Sequence, residues 1–296
     1  MKRFLQHTLF FLGTLAGTAG ADSTIDPAAA YAYAANLGWV SFLHDRPTAP
    51  DGVVVGEYYC SGSAYSANAG WIDFGDGSPA DGIRYANTDG ADAGVNHDGA
   101  GNLSGLAWGA NVGWINFGWA SASDPNRPRI DLRSGEFAGF AWGANVGWIN
   151  LGSGQLATRA IIYLHDSDGD GLSDPWELEQ AGNLTTMGSG TDLDGDGATD
   201  AVEYCWATDP SDPNSRPQAD IQIDFSTNSV RVTWTASPTR TYTLQRDTDL
   251  KSWTPAAAAF LGSGPTLEIV PDASLTTEPR LFYRLLANKP LAPMAP

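Results

Sequence analysis

The chain has 296 residues, of which 42% are hydrophobic and 17% are charged, and its formal net charge is -18. This composition is typical of a globular protein and excludes a wholly disordered chain. Acidic residues outnumber basic ones by 34 to 16. Nucleic acid and anionic membranes are therefore not expected as partners, because both attract basic surfaces. Divalent ions and cationic surfaces fit this charge better.

The N-terminus has the pattern of an export signal. Residues 1–3 are Met-Lys-Arg, residues 4–16 are mostly apolar, and residues 19–21 are Ala-Gly-Ala, a small-residue cleavage site. The apolar run is too short to span a bilayer, and no later stretch reaches about 18 apolar residues. We therefore expect residues 1–21 to be a signal peptide, no transmembrane segment, and a mature protein that is secreted or at the cell surface.

An eleven-residue motif then occurs four times within residues 22–160. The copies are AYAANLGWVSF from Ala32, AYSANAGWIDF from Ala64, AWGANVGWINF from Ala107 and AWGANVGWINL from Ala141. In each copy two β-like runs flank Ala-Asn, and asparagine tolerates the left-handed conformation that a tight hairpin needs. With a further strand upstream, each unit reads as a three-stranded meander. The sequence predicts an all-β repeat domain here.

The tryptophans of this motif share a strand face with polar residues. The residue two positions after each Trp is Ser41, Asp73, Asn116 or Asn150, and strand alternation puts it on the same face. We favour aromatic packing within the repeat as the role of this face. Carbohydrate binding is the alternative, with indole rings stacked on sugars and polar side chains bonding their hydroxyls. The candidate ligand-binding residues are Trp39, Trp71, Asp73, Trp114, Asn116, Trp148 and Asn150.

Two acidic segments, residues 166–177 and 192–203, match the twelve-residue EF-hand calcium loop. Carboxylates occupy positions 1, 3, 5, 9 and 12 of each segment, and glycine occupies position 6. Calcium prefers six to eight oxygen ligands, and the backbone carbonyl at position 7 would add one. We predict two bound calcium ions. The ligands are Asp166, Asp168, Asp170, Leu172, Asp174 and Glu177 in the first loop, and Asp192, Asp194, Asp196, Ala198, Asp200 and Glu203 in the second.

Local signals around these loops support the same geometry. Gly171 and Gly197 permit a sharp turn with positive φ. Asp174 and Asp200 each precede a glutamate by three residues, which predicts that they cap short helices. Residues 166–203 contain 11 acidic and no basic residues, so this segment should repel itself open without cations. A solvated Asp/Gly-rich linker is the alternative interpretation.

Beyond a turn-rich hinge, residues 218–289 show β-branched and aromatic alternation, and residues 290–296 form a tail. Five predicted strands, at 221–225, 230–234, 242–246, 267–270 and 281–285, favour a small β-sandwich. Its expected core is Trp234, Tyr242, Leu244, Trp253, Phe282 and Tyr283.

Cys60 and Cys205 either pair in an oxidising compartment or are two buried thiols. The whole chain is therefore predicted to be mainly β, with two small helices in residues 161–217.

The chain resembles secreted multidomain bacterial proteins with thrombospondin type 3-like calcium repeats. The resemblance is carried by DSDGDGLSD from Asp166 with PWE after it, and by DLDGDGATD from Asp192 with EY from Glu203 and TDP from Thr208. The strands YTLQRDTDL from Tyr242 and FYR from Phe282 look like a C-terminal β-module common in such proteins. This resemblance implies calcium binding without implying a reaction. The Trp motif is similar to GWI-type repeats of exported bacterial proteins.

A calcium sensor is excluded because a sensor EF-hand needs a helix before each loop, whereas residues 159–165 read as a strand and residues 182–191 as a loop.

An enzyme would have few candidate catalytic groups in this sequence. The mature chain has only His44, His97 and His165, with no metal-protease, nucleophile-elbow or phosphate-loop motif. A glycosidase needs only two carboxylates, and the candidates are Glu57, Asp73, Asp131 and Glu136.

We therefore expect a non-catalytic secreted or cell-surface protein in which calcium rigidifies residues 161–217, the connector between two β domains. A carbohydrate-binding or adhesive module is the first alternative, with a glycan or cell-surface polymer as its partner. A polysaccharide-active enzyme is the second alternative, and a dockerin-like docking module is the third.

Overall fold

The computed structural model describes residues 9–13, 23–44, 52–152, 158–271, 278 and 280–291. The expected signal peptide lies outside these residues except for Leu9–Gly13, as do residues 292–296 of the expected tail. The chain forms two compact units. The closed-sheet unit comprises residues 16–184 and 291–296, and the C-terminal unit comprises residues 1–15 and 185–290. The division at residue 184 falls between the two acidic loops.

The protein is mainly β, which confirms the predicted fold class. The strands of the first part of the chain are β1 (Leu9–Gly13), β2 (Ile25–Ala34), β3 (Gly38–Ser41), β4 (Val53–Val55), β5 (Cys60–Ser66), β6 (Gly70–Gly75), β7 (Val95–His97), β8 (Leu103–Gly109), β9 (Gly113–Asn116), β10 (Arg129–Ile130), β11 (Phe137–Ala138), β12 (Phe140–Gly143), β13 (Gly147–Asn150) and β14 (Thr158–Ala160). Two helices follow, α1 (Asp174–Ala181) and α2 (Asp200–Trp206). The remaining strands are β15 (Ala219–Asp224), β16 (Ser229–Ala236), β17 (Thr241–Asp247), β18 (Thr254–Pro255), β19 (Phe260–Leu261), β20 (Gly264–Pro271) and β21 (Phe282–Asn288). Neither helix of the described chain has the length and apolar character that a membrane crossing requires.

The four repeats build one closed antiparallel sheet. Each repeat supplies a hairpin, and these are β2–β3, β5–β6, β8–β9 and β12–β13. Neighbouring hairpins pair through β3–β5, β6–β8 and β9–β12, and β13 pairs with β2 to join the last repeat to the first. Strands β4 and β7 give the second and third repeats their expected third strand, while β10 pairs with β11 and also forms a single bridge from Arg129 to Asn102. Closure leaves this ring of hairpins without a free edge.

The interior of the closed sheet alternates small and large side chains. The first strand of each hairpin turns a fully buried alanine inward, at Ala32, Ala64, Ala107 and Ala141. The second strand turns larger residues inward, at Val40, Ile72, Ile115 and Ile149, and then at Phe42, Phe74, Phe117 and Leu151. A closed sheet of eight strands has an interior just wide enough for side chains to fill. The alternating apolar positions of the motif therefore form the core, and its aromatic positions lie outside.

The hairpin turns close one end of the sheet, and the predicted role of their asparagines is wrong. The positive φ of each turn belongs to a glycine, Gly38, Gly70, Gly113 or Gly147, and to none of the four asparagines. Each asparagine instead donates its Nδ2 hydrogen to a carbonyl in the turn of the preceding repeat. The pairs are Asn36 to Val146 at 3.2 Å, Asn68 to Leu37 at 3.1 Å, Asn111 to Ala69 at 2.9 Å and Asn145 to Val112 at 3.0 Å. These bonds form a closed ring around the end of the sheet.

The C-terminal unit contains two further sheets. One has the order β15-β16-β20, and the other has the order β1-β21-β17-β18 with β19 also on β17. Trp234 joins the two, since its ring centroid lies 5.5 Å from that of Tyr242 and 5.7 Å from that of Phe260. The predicted core placement of Trp253 and Phe282 is wrong, because both are only half-buried and Trp253 lies under the Arg284 guanidinium at 4.4 Å. Leu281 and Leu285 are buried instead.

Both cysteines are buried thiols, and they form no disulfide with each other. Cys60 lies in the closed-sheet unit and Cys205 in the C-terminal unit. Burial raises the pKa of the Cys60 thiol to about 12, which keeps it protonated and unreactive at neutral pH. The two residues therefore act as small hydrophobic side chains.

Candidate metal-binding loops and aromatic surface

The first acidic loop is folded by its own carboxylates. Asp166 accepts hydrogen bonds from the backbone N–H of Gly169 at 2.7 Å and of Gly171 at 3.0 Å. Asp174 accepts from Ser167 N–H at 2.8 Å, which ties position 9 back to position 2. Gly171 has a φ of 92°, as predicted for the sharp turn. The side chains of Asp168, Asp170 and Glu177 bring carboxylate oxygens within 4.8 Å of one another.

The second loop repeats this pattern position by position. Asp192 accepts from Gly195 N–H at 2.8 Å and from Gly197 N–H at 2.9 Å, and Asp200 accepts from Leu193 N–H at 3.0 Å. Gly197 has a φ of 97°. The carboxylate oxygens of Asp192, Asp194 and Asp196 lie within 4.8 Å of one another. Equivalent residues thus make equivalent bonds in both loops, so the spacing of the carboxylates determines the loop conformation.

The helices after the loops begin one residue earlier than predicted. Ser173 and Thr199 are the N-cap residues, whereas Asp174 and Asp200 are the first helical residues. The reason is that the two aspartates direct their carboxylates back to the loop backbone and are not available as caps. Thr199 accepts a hydrogen bond from Val202 N–H, while Ser173 makes no such side-chain bond. The segments that lead directly into the loops, residues 159–165 and 182–191, contain no helix, as predicted.

Each loop ends in a buried glutamate with unsatisfied oxygens. Glu177 is 0% exposed, and neither of its carboxylate oxygens has a hydrogen-bond partner in the described part of the chain. Glu203 is also 0% exposed; one oxygen accepts from Thr208 Oγ1 at 3.0 Å and the other has no partner there. Burial, and then the neighbouring aspartates, raise the pKa of both glutamates to about 8. A buried carboxylate of this kind is costly unless it meets a positive charge.

Leu172 and Ala198 occupy position 7 of the first and second loops. Leu172 is fully buried, and its N–H donates to Asp170 at 2.8 Å. Ala198 N–H donates to Asp196 at 2.7 Å. Two more oxygens in the second loop, Oδ2 of Asp194 and of Asp196, are buried without a partner in the described residues. The donor set contains only carboxylate and backbone oxygens, which are the ligands that hard cations such as calcium prefer.

The first loop is held by contacts of α1 with the closed-sheet unit. The Glu179 carboxylate accepts from Tyr58 Oη at 3.0 Å and pairs with Arg84 at 3.1 Å. The Arg84 guanidinium lies 4.5 Å above the Tyr58 ring. Burial is the main cause of a strong rise in the pKa of Tyr58, which keeps its hydroxyl a donor. The helix after the first loop is thus anchored by an ion pair at the surface of this unit.

The second loop is held by a different device within the C-terminal unit. Arg240 is buried and donates from Nη2 to the carbonyl oxygen of Tyr204 at 2.6 Å and from Nε to that of Cys205 at 2.9 Å. These carbonyls belong to the last turn of α2, where a positive charge is favourable. The Trp206 ring also lies 5.6 Å from that of Tyr242 in β17. A buried cation therefore anchors the helix after the second loop.

Outside the closed sheet, each repeat presents a pair of aromatic rings. Register places Tyr33 opposite Trp39, Tyr65 opposite Trp71, Trp108 opposite Trp114 and Trp142 opposite Trp148. The ring centroids of these pairs are 4.7 to 5.4 Å apart. All eight side chains remain exposed by more than a third. The four tryptophans of the sequence motif thus lie on the outer surface of the closed sheet, each in tilted or edge-on contact with an aromatic partner.

The polar residues after each tryptophan lie at the seams between repeats. Ser41 is opposite Tyr65, Asp73 is opposite Trp108, Asn116 is opposite Trp142 and Asn150 is opposite Tyr33. Sequence reasoning placed Asp73, Asn116 and Asn150 on the tryptophan face correctly but missed the second aromatic of every pair. That signal was present, because the second residue of each motif copy is Tyr or Trp.

One aromatic pair borders a groove. A cleft of about 480 Å³ is lined by Asp73, Asp76, Leu106, Trp108 and Trp114 and by small residues of the loop after β6, among them Gly90, Ala91 and Ala93. Sequence reasoning could not find this groove, since the loop residues that form its wall are far from the motif and have no periodic pattern.

Two of the candidate catalytic carboxylates, Asp131 and Glu136, and two of the histidines, His97 and His44, make bonds within the fold. Asp131 accepts from the backbone N–H of Arg133 at 2.8 Å in a turn, and Glu136 pairs with Arg159 at 3.1 Å. His97 is buried, with Nδ1 3.0 Å from the Gly56 carbonyl and Nε2 accepting from Gly101 N–H at 3.2 Å. His44 Nε2 lies 2.7 Å from the Ser63 carbonyl. Each of these groups already serves the fold.

Comparison with protein-family models, with curated proteins and with solved structures finds no match for this chain. Inference about its function therefore starts from the two loops and the aromatic surface.

Proposed function

We propose that this protein is a non-catalytic, exported calcium-binding protein in which two calcium ions are structural. The observation that carries the proposal is the buried glutamate at the end of each acidic loop, with oxygens that lack a partner among the described residues. A solvated acidic linker would expose these carboxylates to water. Burial beside several other carboxylates makes sense when a divalent cation is bound.

The residues present fit calcium better than other common metals. Each loop offers aspartate carboxylates and a glutamate, with no histidine or cysteine among the predicted ligands. Nitrogen and sulfur ligands would favour zinc or copper, whereas an oxygen-only set favours calcium or magnesium. Asp166, Asp168, Asp170 and Glu177 would hold the ion of the first loop, with Asp192, Asp194, Asp196 and Glu203 as their equivalents. Calcium tolerates the irregular geometry of such loops more readily than magnesium does.

Bound calcium would supply positive charge to a segment that has none of its own. Residues 166–203 contain 11 acidic residues and no lysine or arginine. Each loop is continuous with a helix that is anchored on its own β unit, through Glu179 in one case and Arg240 in the other. Calcium would thereby rigidify the connector at the two places where it joins the β units. Calcium at extracellular concentrations suffices for sites of low affinity, which agrees with the proposed export.

The test is calcium titration and chelation of the full mature chain. Calorimetric titration should count two calcium ions per chain. Saturation should raise the melting temperature, because a ligand at about 100 times its Kd adds roughly 2.7 kcal/mol to the free energy of unfolding. Chelation with EGTA should lower the melting temperature and speed proteolysis within residues 160–217. Magnesium at the same concentration is the control and should restore less stability.

An unchanged melting temperature and an unchanged cleavage pattern after chelation would contradict the proposal. Titration that counts fewer than two ions would restrict it to one loop, and the cleavage sites would show which loop remains open.

A further inference from the structure

A groove lies beside Trp108 and Trp114 of the third repeat. The fourth repeat has nearly the same sequence, and its pair Trp142–Trp148 has the same ring spacing, 4.8 Å against 4.7 Å. The third pair alone borders the described cleft with two carboxylates, those of Asp73 and Asp76. At the equivalent seam of the fourth repeat, Asn116 takes the place of Asp73.

The wall of this groove is fixed by side-chain hydrogen bonds. Asp92 accepts from the backbone N–H of Ala80 at 3.2 Å and of Ala86 at 2.9 Å, which joins the two ends of the loop. Asn87 has a φ of 54° and accepts from Gly94 N–H at 3.2 Å and Leu106 N–H at 3.1 Å. The loop is therefore tied to β8 at the floor of the groove. A cleft built in this way is formed before any ligand arrives.

The chemistry of the lining selects the ligand. The two indole rings offer flat apolar surface, and their planes are tilted by 56°, so they do not form the enclosing cage that a methylated ammonium group requires. The loop residues Gly90, Ala91 and Ala93 contribute only small side chains to the lining. The charged groups of the lining are carboxylates, which accept hydrogen bonds and repel anions. The fitting ligand has an apolar ring face, several hydroxyl donors and no negative charge.

We propose that this groove binds a neutral glycan chain, with a sugar ring stacked on the Trp108–Trp114 pair and hydroxyl groups bonded to Asp73 and Asp76. A carboxylate has about four acceptor positions, so Asp76 can accept from a sugar while it also accepts from Ser78 N–H at 2.9 Å. This inference is independent of the calcium proposal, because its residues lie outside both loops.

The test is native affinity electrophoresis of the calcium-saturated full chain in gels that contain xyloglucan, cereal β-glucan, galactomannan or soluble starch. At least one neutral glycan should retard the protein. Trp108→Ala should weaken this retardation by at least about tenfold, as loss of a central aromatic contact does. Trp142→Ala is the matched control, since Trp142 is 39% exposed and Trp108 is 41% exposed. It should leave retardation unchanged.

Asp73→Asn preserves the shape of the side chain and tests the groove without removing a ring. It should weaken binding while circular dichroism stays unchanged. The proposal is overturned if none of the four glycans retards the protein, or if Trp142→Ala weakens binding as much as Trp108→Ala. Stronger retardation by alginate, an anionic glycan, or tighter binding of oligolysine than of any neutral glycan would overturn it as well.

Discussion

The two compact units carry the same acidic loop but hold it in different ways. In the closed-sheet unit, the helix after the loop is anchored by the half-exposed ion pair of Glu179 and Arg84. In the C-terminal unit, the corresponding helix is anchored by Arg240, which is buried and donates to helix carbonyls. The loop conformation is nearly the same in both, because it depends on bonds between the carboxylates and the backbone of the loop itself.

The comparison shows that the loop is a local element, whereas its attachment is tertiary. The glutamates that end the two loops differ in their neighbours. A carboxylate oxygen of Glu177 lies within 4.8 Å of carboxylate oxygens of Asp168 and Asp170, whereas one carboxylate oxygen of Glu203 accepts a hydrogen bond from Thr208. Each unit should therefore respond to changes in its own loop, its own anchor and its own buried groups. Thermal unfolding with a probe for each unit is the common measurement.

Removal of the buried carboxylates should have the largest effect. With saturating calcium, Glu177→Gln should lower the melting temperature of the closed-sheet unit and Glu203→Gln that of the C-terminal unit. Each loss should be about 2–3 kcal/mol, the stabilisation that a well-occupied site adds. Calorimetric titration should show one calcium ion lost per variant.

The same two variants in EGTA are the control. Because the pKa of each glutamate is raised to about 8, the carboxyl of the metal-free protein is mostly protonated at pH 7. Glutamine resembles that neutral form, so neither variant should change stability without calcium. A loss of equal size in EGTA would show that these glutamates stabilise the fold without any cation.

The anchors should differ in strength. Arg240→Gln should cost the C-terminal unit about 1.5–3 kcal/mol, because it removes charge-assisted hydrogen bonds to buried carbonyls. Glu179→Gln should cost the closed-sheet unit less than about 1 kcal/mol, since exposed ion pairs contribute little. Urea unfolding of both variants measures the two costs. Equal costs would contradict the distinction between a buried and a surface anchor.

Acid should destabilise the closed-sheet unit first. Burial is the main cause that lowers the pKa of two histidines of this unit, His97 to below 6.5 and His165 to about 4, and Nε2 of His97 must stay unprotonated to accept from Gly101 N–H. The unfolded chain therefore binds a proton more readily than the folded chain. The free energy of unfolding should be constant above pH 6.5 and fall as the pH drops below that value.

Residues 185–290 contain no histidine. The C-terminal unit is therefore the internal control, because calcium release at low pH would destabilise it without any contribution from histidine. Melting curves between pH 8 and pH 5 in excess calcium should show a steeper loss for the closed-sheet unit. Parallel losses in both units would show that His97 and His165 contribute nothing to the pH dependence.

The ring of asparagines should give the smallest effect. Asn36→Ala removes the bond that joins the first repeat to the fourth, and Asn111→Ala removes a bond between two consecutive repeats. Each should cost about 1 kcal/mol, the usual net contribution of one hydrogen bond. The C-terminal unit should be unaffected. If Asn36→Ala costs much more than Asn111→Ala, closure of the sheet is a cooperative step of its own.

Local patterns predicted the elements of this protein well. The period-two alternation of the motif placed each tryptophan on the same strand face as the polar residue two positions later, because the side-chain period of a strand is fixed by its backbone. Only the closed sheet shows that this face is the outer one. Turn glycines and loop carboxylates likewise act within a few residues of themselves. The asparagines were misinterpreted because their partners lie 31 to 110 residues away in other turns, and a local rule cannot reach that far.

The sequence by itself determined the mainly β class, the four hairpins and the conformation of two acidic loops, since each depends on spacing within a short segment. Tertiary structure decided the rest. Closure of the sheet through β13 and β2, the groove beside Trp108 and the burial of Glu177 and Glu203 all depend on residues distant in the chain. Their physical cause is long-range pairing and packing, which removes side chains from water and leaves no signature in local spacing.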